Sequence, residues 1–337
     1  MTPLKRFSLG LFAAVVMLAT RPQQVSAVDA MATPADVAAA IDRGNAFLAA
    51  DAVKWRTDHN CVSCHHAALV IWSLREAKQR GHAVDEPLLA ELTRWTAENG
   101  DGKTSLPRPE SAPRAFNEKA VSFALGLIAD PTPDDVAQAG LQKLLATIKA
   151  GQLESGAWSS WPETRPPIFG HSDERATLAA TLALLPTACN GDLTAIAARD
   201  RAVNWLSTTK SDDDPQSVSL RLVLWQRLGR GAAELAPLVE RIGRRQNADG
   251  GWSQTPEMAS DAWATGQALY ALAHAGVVAG DPVVDRARTF LVKSQHDDGS
   301  WPMTSRPTKP GGAGSNSLIP IIGAGSAWAV LGLTRSE

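Results

Sequence analysis

Cys61-Val62-Ser63-Cys64-His65 places two thiols and an imidazole in one short run, and four chemistries suit that spacing. Both thiols can form thioethers with a c-type haem, with His65 on the iron and His171, Met258, His66 or no residue opposite it. Cys61, Cys64, His65 and His171 together offer the ligand types of a zinc site. The cysteines can instead form a disulfide, or stay reduced as a buried pair. A second set of reactive groups is acidic. Asp213 and Asp214 of the run Asp212-Asp213-Asp214, and Asp261 further on, are candidate general acids. The competing reading is that they cap helices and face solvent. A third set is aromatic: Trp263, Gln267, Tyr270 and His274 recur at helical spacing. Trp72 lies two turns beyond His65. These residues either wall a pocket for an apolar ligand or fill an ordinary core.

Such groups need elements to hold them, and the chain is built from repeats. The fullest copy runs Arg286-Ala287-x-x-Phe290-Leu291-x-x-x-Gln295-x-x-x-Gly299-x-Trp301. Its first half recurs at Arg201-Ala202-x-x-Trp205-Leu206 and Arg43-Gly44-x-x-Phe47-Leu48, its second half at Gln246 to Trp252 and Gln152 to Trp158. Each copy ends an amphipathic helix. The spacing predicts that the Gln bonds carbonyls at the helix end, the Gly turns the chain, and the Trp folds back as an apolar plug. Between the amphipathic helices, residues 61–77, 117–129, 172–185, 215–228, 261–275 and 316–333 read as helices apolar on nearly all faces, the first capped by Asn60. Pro186 reads as a stop, and Cys189 as a small buried residue. No segment alternates with the period of a strand. Helices with one apolar face need cover on one side, and helices apolar all round need it on most sides. Two concentric rings meet both needs, so the expected fold is all-α, an (α/α)6 toroid with inner apolar and outer amphipathic helices.

The Gln-x-x-x-Gly-x-Trp copies resemble the Gln-Trp motifs of squalene–hopene and oxidosqualene cyclases, over most of residues 28–337. The resemblance implies the toroid those cyclases share with protein prenyltransferases. It also implies an isoprenoid-like substrate in the lumen and an acid on an inner helix. The cyclases carry that acid in an Asp-x-Asp-Asp motif. Here Lys210 and Ser211 precede Asp212-Asp213-Asp214, which leaves the reaction open between cyclisation, isomerisation and lysis.

The remaining features set the surroundings. Lys5 and Arg6, an apolar run over 9–18 and the small-residue exit Val25-Ser26-Ala27 read as a signal peptide over 1–27, before a single domain over 28–337. The expected location is therefore periplasmic or secreted. A net charge of −2 without a basic block argues against nucleic acid as a partner, and no stable membrane span is expected in the mature chain. The 15-residue stretch 302–316 carries Arg306 and Lys309 without helical pattern, and reads as a lid or anion-contacting loop. Two functions follow. One is a haem- or metal-bearing toroid that binds an apolar small molecule or a redox partner. The other is an enzyme acting on an isoprenoid-like substrate, its cysteines structural or zinc-bound.

Overall fold

In the computed structural model, residues 30–100, 118–160, 167–168, 172–307, 314 and 317–337 are described, and every regular element among them is helical. Six helices are outer: α1 (Pro34–His59), α3 (Glu86–Asn99), α5 (Asp135–Ala150), α7 (Leu193–Thr208), α9 (Ala232–Arg244) and α11 (Pro282–Ser294). They alternate with inner helices α2 (Leu69–Gln79), α4 (Glu118–Ile128), α6 (Asp173–Cys189), α8 (Pro215–Arg227), α10 (Ala262–His274) and α12 (Ile319–Arg335). The starts follow capping chemistry: Asp85, Asp134, Asp192 and Asp281 cap outer helices, and Ser172, Asp214 and Asp261 cap inner ones. The inner helices pack in chain order, and α12 returns to α2, so the ring closes. Gly266 of α10 and Gly332 of α12 let these two backbones meet: a Cβ on Gly266 would lie 2.2 Å from the Trp328 carbonyl oxygen. This is the expected (α/α)6 toroid.

The repeats are the seams of the outer ring. Gln152 Nε2 donates to the Gly156 carbonyl in its own turn (2.9 Å) and to the Ala198 carbonyl in the next outer helix (2.8 Å). Gln246 does the same with Gly250 and Val283, and Gln295 with Gly299 and Ala40. Each Gln Oε1 then accepts from the Arg that opens the next repeat: Arg201, Arg286 and, across the ring closure, Arg43. Sequence reasoning put both carbonyls at the helix end; one of them belongs instead to the neighbouring repeat. The glycines are required here. Gly299 has φ +88°, and a Cβ on it would stand 2.3 Å from the Arg43 carbonyl oxygen. Trp158, Trp252 and Trp301 are fully buried, and their indole N–H groups donate to the carbonyls of Ile148, Ile242 and Leu291.

Three local expectations need correction. Asn60 does not cap an inner helix; it ends α1 in the left-handed region (φ 45°), and Ser63 caps the following turn instead. That turn, Cys64–Ala68, is π-helical and leads into α2. Pro186 does not stop α6, which continues to Cys189, and Cys189 is exposed rather than buried. Among the described residues no helix is long and apolar enough to cross a membrane.

Candidate functional site

The inner helices enclose a cavity of about 110 Å³, lined toward its mouth by Arg175, Gln216 and Trp263 near the N-terminal ends of α6, α8 and α10. Its wall is apolar and aromatic because α2, α10 and α12 each send a Trp inward: Trp72, Trp263 and Trp328. Trp328 stands edge-on to both others, with ring centroids 5.3 Å from Trp72 and 6.1 Å from Trp263. Leu125, Leu182 and Leu220 complete the wall. Gln267, one turn beyond Trp263 on the same face of α10, also lines it, and Tyr270 lines the deep end. Sequence reasoning missed Trp328: it sits in an almost wholly apolar helix, where nothing separates a lumen Trp from a core Trp.

At the deep end a polar network surrounds Glu76. Its Oε1 accepts from Trp72 Nε1 (3.1 Å) and from the Tyr270 hydroxyl (2.7 Å), and Arg335 stands 3.5 Å from its Oε2. Burial and the Glu76 carboxylate push the Tyr270 hydroxyl far above its ordinary range. His274 stacks edge-on against Tyr270, and burial, together with Arg227 and Arg335, pushes its imidazole down to about 3. It is neutral at physiological pH.

At the mouth, the three predicted acids separate. Asp261 is buried, caps α10 through Ala264 N–H, and accepts from Gln254 Nε2 at 2.6 Å. Gln254 also donates to the Thr304 carbonyl, tying segment 302–307 over the acid. Burial pushes Asp261 up to about 6, against the pull of its hydrogen bonds and of Arg306. Arg306 is itself lowered to about 10 by burial and by Arg175, which lines the cavity mouth. Asp214 is occupied as the cap of α8, bonding Gln216 N, Ser217 N and Ser217 Oγ. Asp213 adopts φ 56° and faces outward, paired with Arg241 and Arg245 away from the lumen. Asp212 is tied to Ser172 Oγ, and its backbone N–H donates to Glu174, which also pairs with the buried Arg221. Of these three acids, only Asp261 joins burial to a raised proton affinity, and it does so at the N-terminus of α10, which carries Trp263 and Gln267 of the cavity wall.

The Cys–His run does not lie on one helical face, because the helix starts at Cys64 rather than Cys61. Cys61 is exposed and outside the helix, Cys64 is in the cavity wall, and His65 and His66 are buried beneath it. No disulfide joins the cysteines. His65 Nδ1 lies 3.3 Å from Ser63 Oγ and against His66 Nδ1, while His66 Nε2 pairs with Asp51 at 2.8 Å. Trp55 of α1 lies flat between His59 and His66, at 3.8 and 4.5 Å. Asp51, Trp55 and His59 recur at every fourth residue of α1, a spacing legible in the sequence. Two thiols at Cys61 and Cys64 beside the imidazole of His65 are the donor types of a thioether-linked haem, and Ser63 Oγ lies beside His65 Nδ1. Among the described residues no three His, Cys, Asp or Glu side chains converge as a metal site. His171 lies outside the described residues.

No family model matches the chain, and no curated protein matches it in sequence. Solved structures match its fold. A glycosyl hydrolase family 88 protein from Bacteroides vulgatus superposes with a TM-score of 0.58 at 12% identity, over 90% of this chain and 99% of that one. The type II terpene cyclase MstE from Scytonema, in its apo form, gives 0.57 at 14% identity, over 90% and 98%. A protein from Actinoplanes gives 0.54 at 13% identity, over 89% and 99%. At these identities the likeness is one of fold.

Proposed function

We propose that the protein is an exported toroid enzyme that takes an isoprenoid-like molecule into its lumen and acts on it by acid catalysis from Asp261. The observation that carries this reading is the conjunction of a three-Trp wall with a buried carboxyl of raised proton affinity, Asp261, which caps α10 two residues before Trp263 of that wall. Asp261 gives its proton to an alkene or oxygen of the bound molecule, and the resulting cation then loses a proton to water, which returns it to the Asp261 carboxylate. The carboxylate left behind is met by Gln254, the Ala264 N–H and the charge of Arg306. Positive charge developing on the hydrocarbon faces the π-surfaces of Trp72, Trp263 and Trp328. The terpene cyclase likeness supports the shape of such a lumen, not its substrate. The test has two readouts: quenching of Trp fluorescence by prenyl alcohols, and product formation followed across pH. Conversion falls as pH rises through about 6, and Asp261→Asn abolishes conversion while leaving binding in place. An Asp261→Asn protein that turns over normally removes the acid from the mechanism.

A second reading places a covalent haem on Cys61 and Cys64 with His65 as its iron ligand, supported by the anchoring of His65 through Nδ1. Such a group supplies one-electron transfer when bound; the chain's part is to hold the imidazole. Protein produced in a host that attaches haem c then shows a Soret band that survives acid–acetone extraction and is lost in Cys64→Ala. Colourless protein from that host ends this reading.

A further inference from the structure

The lumen wall carries polar groups that find no partner among the described residues. Trp263 Nε1, Trp328 Nε1 and both amide atoms of Gln267 are buried and make no hydrogen bond among the described residues. The three side chains are only 4%, 5% and 3% exposed, and all three line the same cavity. Their neighbour Trp72 is different, because its indole N–H is satisfied by Glu76. So is the Tyr270 hydroxyl below. The orphaned groups share one wall with these satisfied ones: the Trp328 ring stands 5.3 Å from that of Trp72 and 5.7 Å from that of Tyr270. Trp263 and Gln267 share a face of α10, and Trp328 contributes from the adjoining α12.

A buried donor without an acceptor is costly, and native proteins rarely leave one unpaired. Four such atoms along one wall are poor core design and good ligand design. Their inventory states what fits. The two indole groups are donors only, and the Gln267 amide offers both donors and an acceptor. A hydrocarbon satisfies none of them. An ether or ketone oxygen accepts but gives nothing to Gln267 Oε1. A hydroxyl accepts through its lone pairs and donates its own proton, so it can pair with both kinds of group at once. Charge is not called for, since none of these three residues is ionised and Arg175, the cation among the described lining residues, is engaged by Gln216 at 3.0 Å.

We infer that the lumen ligand is a neutral alcohol, an otherwise hydrocarbon chain whose hydroxyl is read by Trp263, Trp328 and Gln267. This rests on the lumen-binding reading above and names its substrate class. The test compares 3-methyl-2-buten-1-ol, its methyl ether and 2-methyl-2-butene, which share one five-carbon skeleton suited to a cavity of about 110 Å³, in titrations of the full-length protein. The expected order is alcohol, then ether, then hydrocarbon, with the hydrocarbon weaker than the alcohol by about tenfold or more. Gln267→Met should erase most of that preference. In the unaltered protein, the alcohol should shift the side-chain indole N–H resonances of Trp263 and Trp328 downfield, whereas the hydrocarbon should not. This second measurement stands even if the variant folds poorly. Equal affinity for all three ligands, or unmoved indole resonances, overturns the alcohol assignment while leaving a hydrocarbon-binding lumen. Failure of all three to bind overturns the lumen reading itself.

Discussion

Trp and Gln appear twice in this molecule under opposite conditions. At the seams, Trp158, Trp252 and Trp301 each donate to a helix carbonyl, and Gln152, Gln246 and Gln295 each donate twice and accept once. In the lumen, Trp263, Trp328 and Gln267 are buried too, and the two indole N–H groups and the Gln267 amide have no hydrogen-bond partner among the described residues. The same chemistry thus closes the ring in one place and is held in reserve in the other. Burial alone does not distinguish the seam tryptophans from Trp263 and Trp328; the fate of the indole N–H does.

The contrast predicts opposite outcomes for similar substitutions. Trp301→Ala should cost the most, about 3–5 kcal/mol, because it opens a cavity at the closure and strands the Leu291 carbonyl. Urea unfolding measures it. Gly299→Ala should cost about 2–3 kcal/mol, since it combines a positive φ with a Cβ driven into the Arg43 carbonyl. If the ring were not closed by this seam, the loss would be confined to the roughly 1 kcal/mol expected for a surface turn.

Asp261 should show itself through pH. Its native proton affinity is raised from 3.8 to about 6, so its contribution to stability is complete below 3.8 and is lost as pH rises through 6. His274 acts in the opposite sense: kept neutral down to about 3, it costs stability as pH falls below 6.5. The difference between wild type and Asp261→Asn isolates the acid. The variant should gain relative stability between pH 4 and 6.5, on the order of 2 kcal/mol. No pH-dependent difference would mean the carboxyl is hydrated rather than buried. The smallest effect expected is a gain. Gln267→Met removes two orphaned polar atoms, and should stabilise the ligand-free protein by about 1 kcal/mol while weakening alcohol binding. The same change at Gln295 should destabilise, which sets seam against lumen in a single pair of variants.

Much of this architecture was legible in the chain. The Gln-x-x-x-Gly-x-Trp copies place three turns of the outer ring, and the alternation of amphipathic with all-round apolar helices leads to two rings. Trp263, Gln267 and Tyr270 recur at helical spacing, and the structure brings them together with Trp72 on the lumen. The Cys–His run was less legible. Its spacing implies one helical face only if the helix begins at Cys61, and whether Ser63 or Asn60 caps it depends on how α1 ends. The acids were less legible still. Asp213, Asp214 and Asp261 look alike in sequence, because a carboxylate that caps, one that meets solvent and one that is buried differ only in their neighbours.

Periodicity and turn chemistry are local, so the sequence by itself determined the helices, their order and the repeat that joins them. Satisfaction of polar groups is not local. The Arg43 that meets Gln295 lies at the other end of the chain, and the Trp328 that shares a wall with Trp72 arrives only when the ring closes. Tertiary structure alone decided that the seam residues would be paired and that Trp263, Trp328 and Gln267 would be left facing the lumen.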